Sequence, residues 1–233
     1  MNTCNNNLKN ITFCLIFLMF SCSAESVAQN KREMNLKSGQ ISLSLIQNSD
    51  FLNSVLKTSQ REKDTVLAAS SKILRDQIHS VTDKKHKDYV PEDFKNVIPI
   101  IDFMLAIDSL NGHAIYFKGE VYRLLNVEDR FLEFFKMYIK IEDSIGPQLK
   151  DVTNPRLCYD TARGYCEHRT AWIYQLLANY YYKKGTTETD LKRRNDLLNA
   201  ARIYIQKVRT HFPAGFNSSS VTMSTTELEN NLN

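Results

Sequence analysis

Between Arg169 and Pro213 the chain carries two amphipathic helical patterns in succession with a glycine between them, and such a unit leaves little choice of fold. In RTAWIYQLLANYYYKKG, Tyr174, Leu177, Ala178 and Tyr181 recur at i, i+3, i+4 and i+7, one stripe of a 3.6-residue period. That stripe has to be buried. Gly185 supplies a residue able to turn left-handed where a helix ends, with Lys183 and Lys184 against the negative end of the macrodipole, so the first helix is expected to stop there. In the second pattern Leu197, Ala201, Tyr204, Ile205, Val208 and Phe212 share a face, and Pro213 and Gly215 forbid continuation. Two such helices joined by a short turn pack antiparallel. The pattern predicts a helical packing unit of the kind used for binding and establishes no chemical reaction.

At the other end of the chain, Ile11 to Phe20 is an unbroken apolar run after a polar start. A membrane-spanning helix needs about twenty residues, so this run reads as the core of a secretory signal. MFSCSAES, with Cys22 behind a small residue, resembles the lipoprotein signals of bacteria, in which the cysteine becomes the lipid-modified N-terminus. The resemblance implies a signal peptide over residues 1–21, a lipid on Cys22 and a polar tether over 22–39. The alternative is ordinary cleavage after Ala28, where Ser26 and Ala28 supply the small residues. Both readings export the protein, to an outer-membrane or periplasmic lipoprotein in the first case and to a soluble periplasmic or secreted protein in the second. With 233 residues, 42% of them hydrophobic, and a mean hydropathy of −0.37, the remainder suffices for one soluble domain over 40–213. The formal net charge of +4 is small, and an exported protein meets no chromosomal DNA. Lys192, Arg193 and Arg194 therefore read as a solvated helix face, with contact to anionic lipid left open.

Within 40–213 the periodicities predict further helices. ISLSLI at Ile41 is compatible with a strand; a helix is expected over about Ser49 to Ser59 and another over Asp64 to Ser80. DKKHKDY reads as a charged solvated loop. Pro91, Glu92 and Asp93 suit a helix start, and Pro99 either kinks that helix near Lys95 or forces a fresh one at Ile98, running to about Leu110. HAIYFKGEVYRLLN and EDRFLEFFKMYIKIEDS form a second helical pair, with Phe131, Phe134, Phe135 and Tyr138 on one face. Gly146 to Glu167 has no helical period and reads as a long loop, and 214–233 as an unstructured tail.

Here a family resemblance enters. Tyr174, Leu177, Ala178, Tyr181 and Gly185, followed by Ala201, Ile205, Val208 and Pro213, resemble the two helices of a tetratricopeptide repeat. Ile115, Gly119, Tyr122 and Phe135 repeat part of that register, and the segment ending near Leu110 resembles the second helix of an earlier, degenerate repeat. The resemblance implies an all-α fold of antiparallel hairpins stacked as a short α-solenoid. Two departures matter. Sixteen positions separate Gly185 from Ala201 where the repeat has five, so the second helix is expected to overhang the first. Phe131 and Tyr138 replace small residues, which should alter the helix crossing. The family lines a concave groove with the first helix of each repeat; carried over, the groove residues are His113, Tyr116, Glu120 and Arg123, then Trp172, Gln175, Asn179, Tyr182 and Lys183. Aromatic and hydrogen-bonding groups in that mixture suit a bound peptide.

Cys158 and Cys166 are the cysteines left if Cys22 is lipidated and the signal is removed. An even pair in an oxidising compartment suggests a disulfide; free thiols, or a metal held together with Glu167 and His168, are the alternatives. No catalytic signature occurs, neither GxSxG, HExxH, GxxxxGK[ST] nor GxGxxG, and the five histidines are scattered. The reading is therefore a non-enzymatic, cofactor-free and metal-free module that binds a protein or peptide in the cell envelope and no nucleic acid. A small-ligand or glycan binder of an uptake system, with aromatics stacking on sugar rings, is the second reading, and a helical enzyme the third.

Overall fold

The computed structural model describes residues 41–83, 88–145, 165–213 and 223–232. Among them the secondary structure is helical throughout, with no strand. Cys158, and with it the expectation of a Cys158–Cys166 pair, the lipidated Cys22, the signal and tether, and the core of the DKKHKDY loop fall outside the described residues. The described residues fall into two compact units, one of residues 41–83 with 94–107 and one of residues 88–93 with those from 108 onward.

In the first unit, α1 (Leu43–Ile46) occupies the stretch that alternation made compatible with a strand. Ser42 accepts a hydrogen bond from the Leu45 amide and so starts a helical turn, and local capping overrides alternation over so short a run. The Asn48 side chain accepts from the amides of Asp50 and Phe51 and opens α2 (Ser49–Leu56). α3 (Gln60–Thr82) begins earlier than its apolar stripe because Ser59 and Glu62 form a reciprocal capping box. After a 3₁₀ turn at Pro91–Phe94, α4 runs over Val97–Ile107. Pro99 sits in the first turn of α4, where its missing donor costs nothing, so the fresh-helix alternative holds. Phe51, Val55, Leu67, Leu74, Ile100, Ile101 and Met104 are fully buried, and Phe51 stacks on Phe103 at 5.9 Å.

The second unit is built of two antiparallel hairpins and a short last helix: α5 (Gly112–Leu124) with α6 (Glu128–Ile145), α7 (Tyr165–Thr187) with α8 (Leu191–His211), then α9 (Thr225–Leu232). Asn111 caps α5 through the Ala114 amide, and Asp190 caps α8 through the Arg193 amide. Leu177, Ala178, Ala201 and Val208 are fully buried, as the stripes require, while Tyr204 is half-buried.

Three expectations are corrected here. Gly185 does not end its helix, which continues to Thr187. It is buried against α8, where an added Cβ would stand 2.7 Å from Leu198 Cδ2, so the glycine permits close approach of two helices and makes no left-handed turn. The second helix does not overhang the first, because the extra residues are shared: α7 has 23 residues and α8 has 21. Residues 225–232, part of the 214–233 tail expected to be unstructured, fold as α9 and bury Thr225, Leu228 and Leu232.

Candidate functional site

The residues nominated for a groove all lie in the second unit, and the packing that places them starts at Gly119. A Cβ there would meet Phe135 Cε1 at 2.5 Å, so the bare glycine lets the Phe135 ring approach α5 closely. Phe135 then turns its edge to Trp172 of α7 at 5.7 Å, and Tyr116 of α5 meets the same indole at 5.9 Å. Trp172 is thereby held between hairpins and is only 9% exposed. The Arg123 guanidinium lies 5.5 Å from the indole centroid and pairs bidentately with Glu120, at 2.9 and 3.1 Å. Tyr116, Glu120, Arg123 and Trp172 therefore do come together, as a partly solvated edge whose aromatic base is buried.

Beneath that edge lies a buried polar cluster of which sequence reasoning held only His113, nominated there for the groove and in fact buried. Arg169 places its guanidinium 4.2 Å from the Tyr116 ring and bonds His113 Nδ1 at 3.1 Å. Both residues are buried, and the bond makes His113 Nδ1 an acceptor. One turn along α7, the Tyr174 hydroxyl donates to Glu142 Oε2 at 2.9 Å. Burial, and then the Glu142 carboxylate, push the Tyr174 phenol far above its ordinary range. Burial likewise raises Tyr138, which has no surface exposed, against the opposing pull of the Arg169 charge. A buried cation, carboxylate and phenols joined across the α6–α7 and α5–α7 faces fix the register of one hairpin on the other. Among the described residues no group of three or more His, Cys, Asp or Glu is arranged to hold a metal.

Further along α7 the remaining nominated residues meet the chain's own C-terminal segment. Asn179 Oδ1 accepts from the Met223 amide at 2.9 Å, and Asn179 Nδ2 donates to the Met223 carbonyl at 3.0 Å. Gln175 Nε2, almost wholly buried, donates to the same carbonyl at 3.1 Å. Tyr182 packs beside Leu228 and Leu232 of α9, in a cluster floored by Ala178, Ala201 and Ile205. Lys183 is exposed. On the α8 side Arg209 pairs with both carboxylate oxygens of Glu229, Nε to Oε1 at 2.8 Å, and Arg202 donates to the Leu232 carbonyl. The signals for this segment were present: Ser224 and Glu227 have capping-box spacing and Leu228 and Leu232 are one turn apart. Two leucines in eight residues are too short a pattern to stand out from a polar tail.

In comparison with known proteins, no protein-family model, curated sequence or solved structure matches the chain. The functional reading therefore rests on the geometry just described. Among the described residues no helix is long and apolar enough to cross a membrane.

Proposed function

We propose that the chain is an exported, non-enzymatic binding protein of the bacterial envelope, anchored by a lipid on Cys22, whose second unit is a degenerate tetratricopeptide-like stack that holds a protein or peptide segment along α7. One observation carries this reading. The single amide of Asn179 satisfies both the donor and the acceptor of one residue's backbone, at Met223, and Gln175 adds a second donor to the same carbonyl. That geometry reads main chain irrespective of sequence, which is what a peptide-binding face needs before side-chain pockets add selectivity. Tyr116, Glu120 and Arg123 extend the face, where half-buried aromatic and arginine groups are the usual anchors of interface energy. The aromatics that would stack on a sugar are instead spent on one another, as in the Tyr116, Phe135 and Trp172 group, so nothing here favours a glycan. The Cys158–Cys166 disulfide belongs to the same proposal, as a consequence of export.

The test is site-specific photo-crosslinking in the producing cell, with a benzophenone amino acid at Lys183 or at Ile203, which is exposed on α8. A polypeptide adduct at Lys183 but not at Ile203, weakened by Arg123→Ala, is the expected result. Adducts of equal yield at both positions, or none at Lys183, would overturn the reading. In the same cells Cys22→Ser should move the protein from the membrane to the soluble fraction, because lipid is the proposed anchor.

A further inference from the structure

We propose that α9 is an internal occupant of a peptide seat between α7 and α8, and that the seat takes in trans a partner segment of the same chemistry: a residue held through its backbone amide and carbonyl, followed by a short acidic helix with leucines one turn apart. The inference rests on the peptide-binding reading and deepens it by naming the ligand class. The occupant has the marks of a bound peptide. Asn179 and Gln175 hydrogen-bond the Met223 backbone, while its side chain packs on the apolar cluster below. Ser224 and Glu227 cap α9 with their own reciprocal bonds, 3.2 and 2.7 Å, so the segment carries its helix start within itself.

The seat has matching chemistry. Ala178 and Ala201, both fully buried, leave room for Leu228 and Leu232 between the helices, with Ile205 behind and Tyr182 at the rim. Arg209 and Arg202 face Glu229 and the Leu232 carbonyl, so a basic wall meets an acidic helix. Eight helical residues held mainly by two leucines and one ion pair form a small cooperative unit, and such units open without the rest of the fold. While α9 is seated, a partner binds only in proportion to the open fraction.

The experiment uses the full chain and, as probe, a fluorescent peptide with the sequence of residues 223–233. In the double variant Leu228→Asp/Leu232→Asp the internal helix is evicted, and the peptide is expected to bind ~10-fold or more tightly than to the unaltered chain, the ratio set by the closed fraction. Asn179→Ala added to that variant should abolish the gain. If the variant melts cooperatively yet binds no peptide, the seat is not a peptide site and the functional reading falls with the inference. If the peptide binds both forms equally, α9 does not compete, and the inference falls while the reading stands. Should the variant fail to fold, hydrogen exchange on the unaltered chain decides: α9 amides exchanging ahead of α7 and α8 support the proposal, and exchange in step with them makes α9 a fixed structural cap and overturns it.

Discussion

At the scale of single residues, two glycines in similar helical surroundings should respond differently to the same change. At Gly119 a new Cβ meets three atoms of the Phe135 ring between 2.5 and 3.2 Å, and that ring is fully buried with no room to move. Overpacking of this kind costs roughly 1–3 kcal/mol, more than the ~1 kcal/mol that alanine gains over glycine in a helix. Gly119→Ala should therefore lower the melting temperature. At Gly185 the obstruction is Leu198, a half-buried aliphatic side chain able to rotate aside, so Gly185→Ala should come within about 1 kcal/mol of neutral. Thermal melts of the two variants side by side check both statements, and equal losses would show that neighbour rigidity is not what matters. Both glycines were visible in the sequence as repeat-register positions, but their roles were not. A glycine that ends a helix and one that admits a neighbouring side chain look alike until the partner helix is in place. Trp172 shows the same limit, since periodicity placed it off the buried stripe and the contacts with Tyr116 and Phe135 bury it. Truncation of a buried aromatic typically costs about 3–5 kcal/mol, so Trp172→Ala should read out first as lost stability.

At the scale of elements, the helices between Gln60 and His211 were legible because each is long enough for its 3.6-residue stripe to repeat, while the caps at Ser59, Asn111 and Asp190 show only in the structure. α1, with four residues, is too short for a period to declare itself, and α9, as long as α2 but with two leucines among polar residues where α2 has Phe51, Leu52, Val55 and Leu56, shows too thin a stripe. What holds α9 down also makes it sensitive to acid. The Arg209 guanidinium holds the Glu229 carboxyl below its ordinary value of 4.5. With the folded value depressed, the detached segment binds protons that the docked one does not, so the stabilisation is present above about pH 4.5 and is lost as the pH falls through the folded value. Protection of the α9 amides, corrected for intrinsic exchange, should drop between pH 5 and 3 ahead of that of α8, a window set by the ordinary glutamate range of about 4.3. Glu229→Gln should flatten that drop; an unchanged profile in the variant would remove the Arg209–Glu229 pair from the account.

At the scale of the whole molecule, the polar chemistry is divided unevenly between the two units, and alkali should reveal the division. The described residues of the first unit contain neither tyrosine nor tryptophan. The second holds Tyr138, Tyr174 and Tyr204, each with its phenol raised, chiefly by burial. Burial, with Tyr181 and Asp143 nearby, pushes Tyr204 from 10.0 up to about 12. A raised phenol stays neutral in the folded unit while the unfolded chain ionises, so the folded state holds more protons and its stability falls as the pH rises. The contribution is intact below pH 10.0 and is gone once the pH passes about 12 for Tyr204, with Tyr174 acting in the same direction at higher pH still. Tyrosinate absorbance should therefore rise in two steps, the second marking the buried phenols and accompanied by loss of the near-ultraviolet dichroism of Trp172. Helical amides of α2 to α4 should keep their protection through the second step, because no titrating phenol lies among them. Tyr204→Phe removes one of these groups without removing its ring, and should shift the second step to higher pH. A single smooth titration of all the tyrosines, with dichroism unchanged to pH 12, would show that the phenols of the second unit are not buried as described.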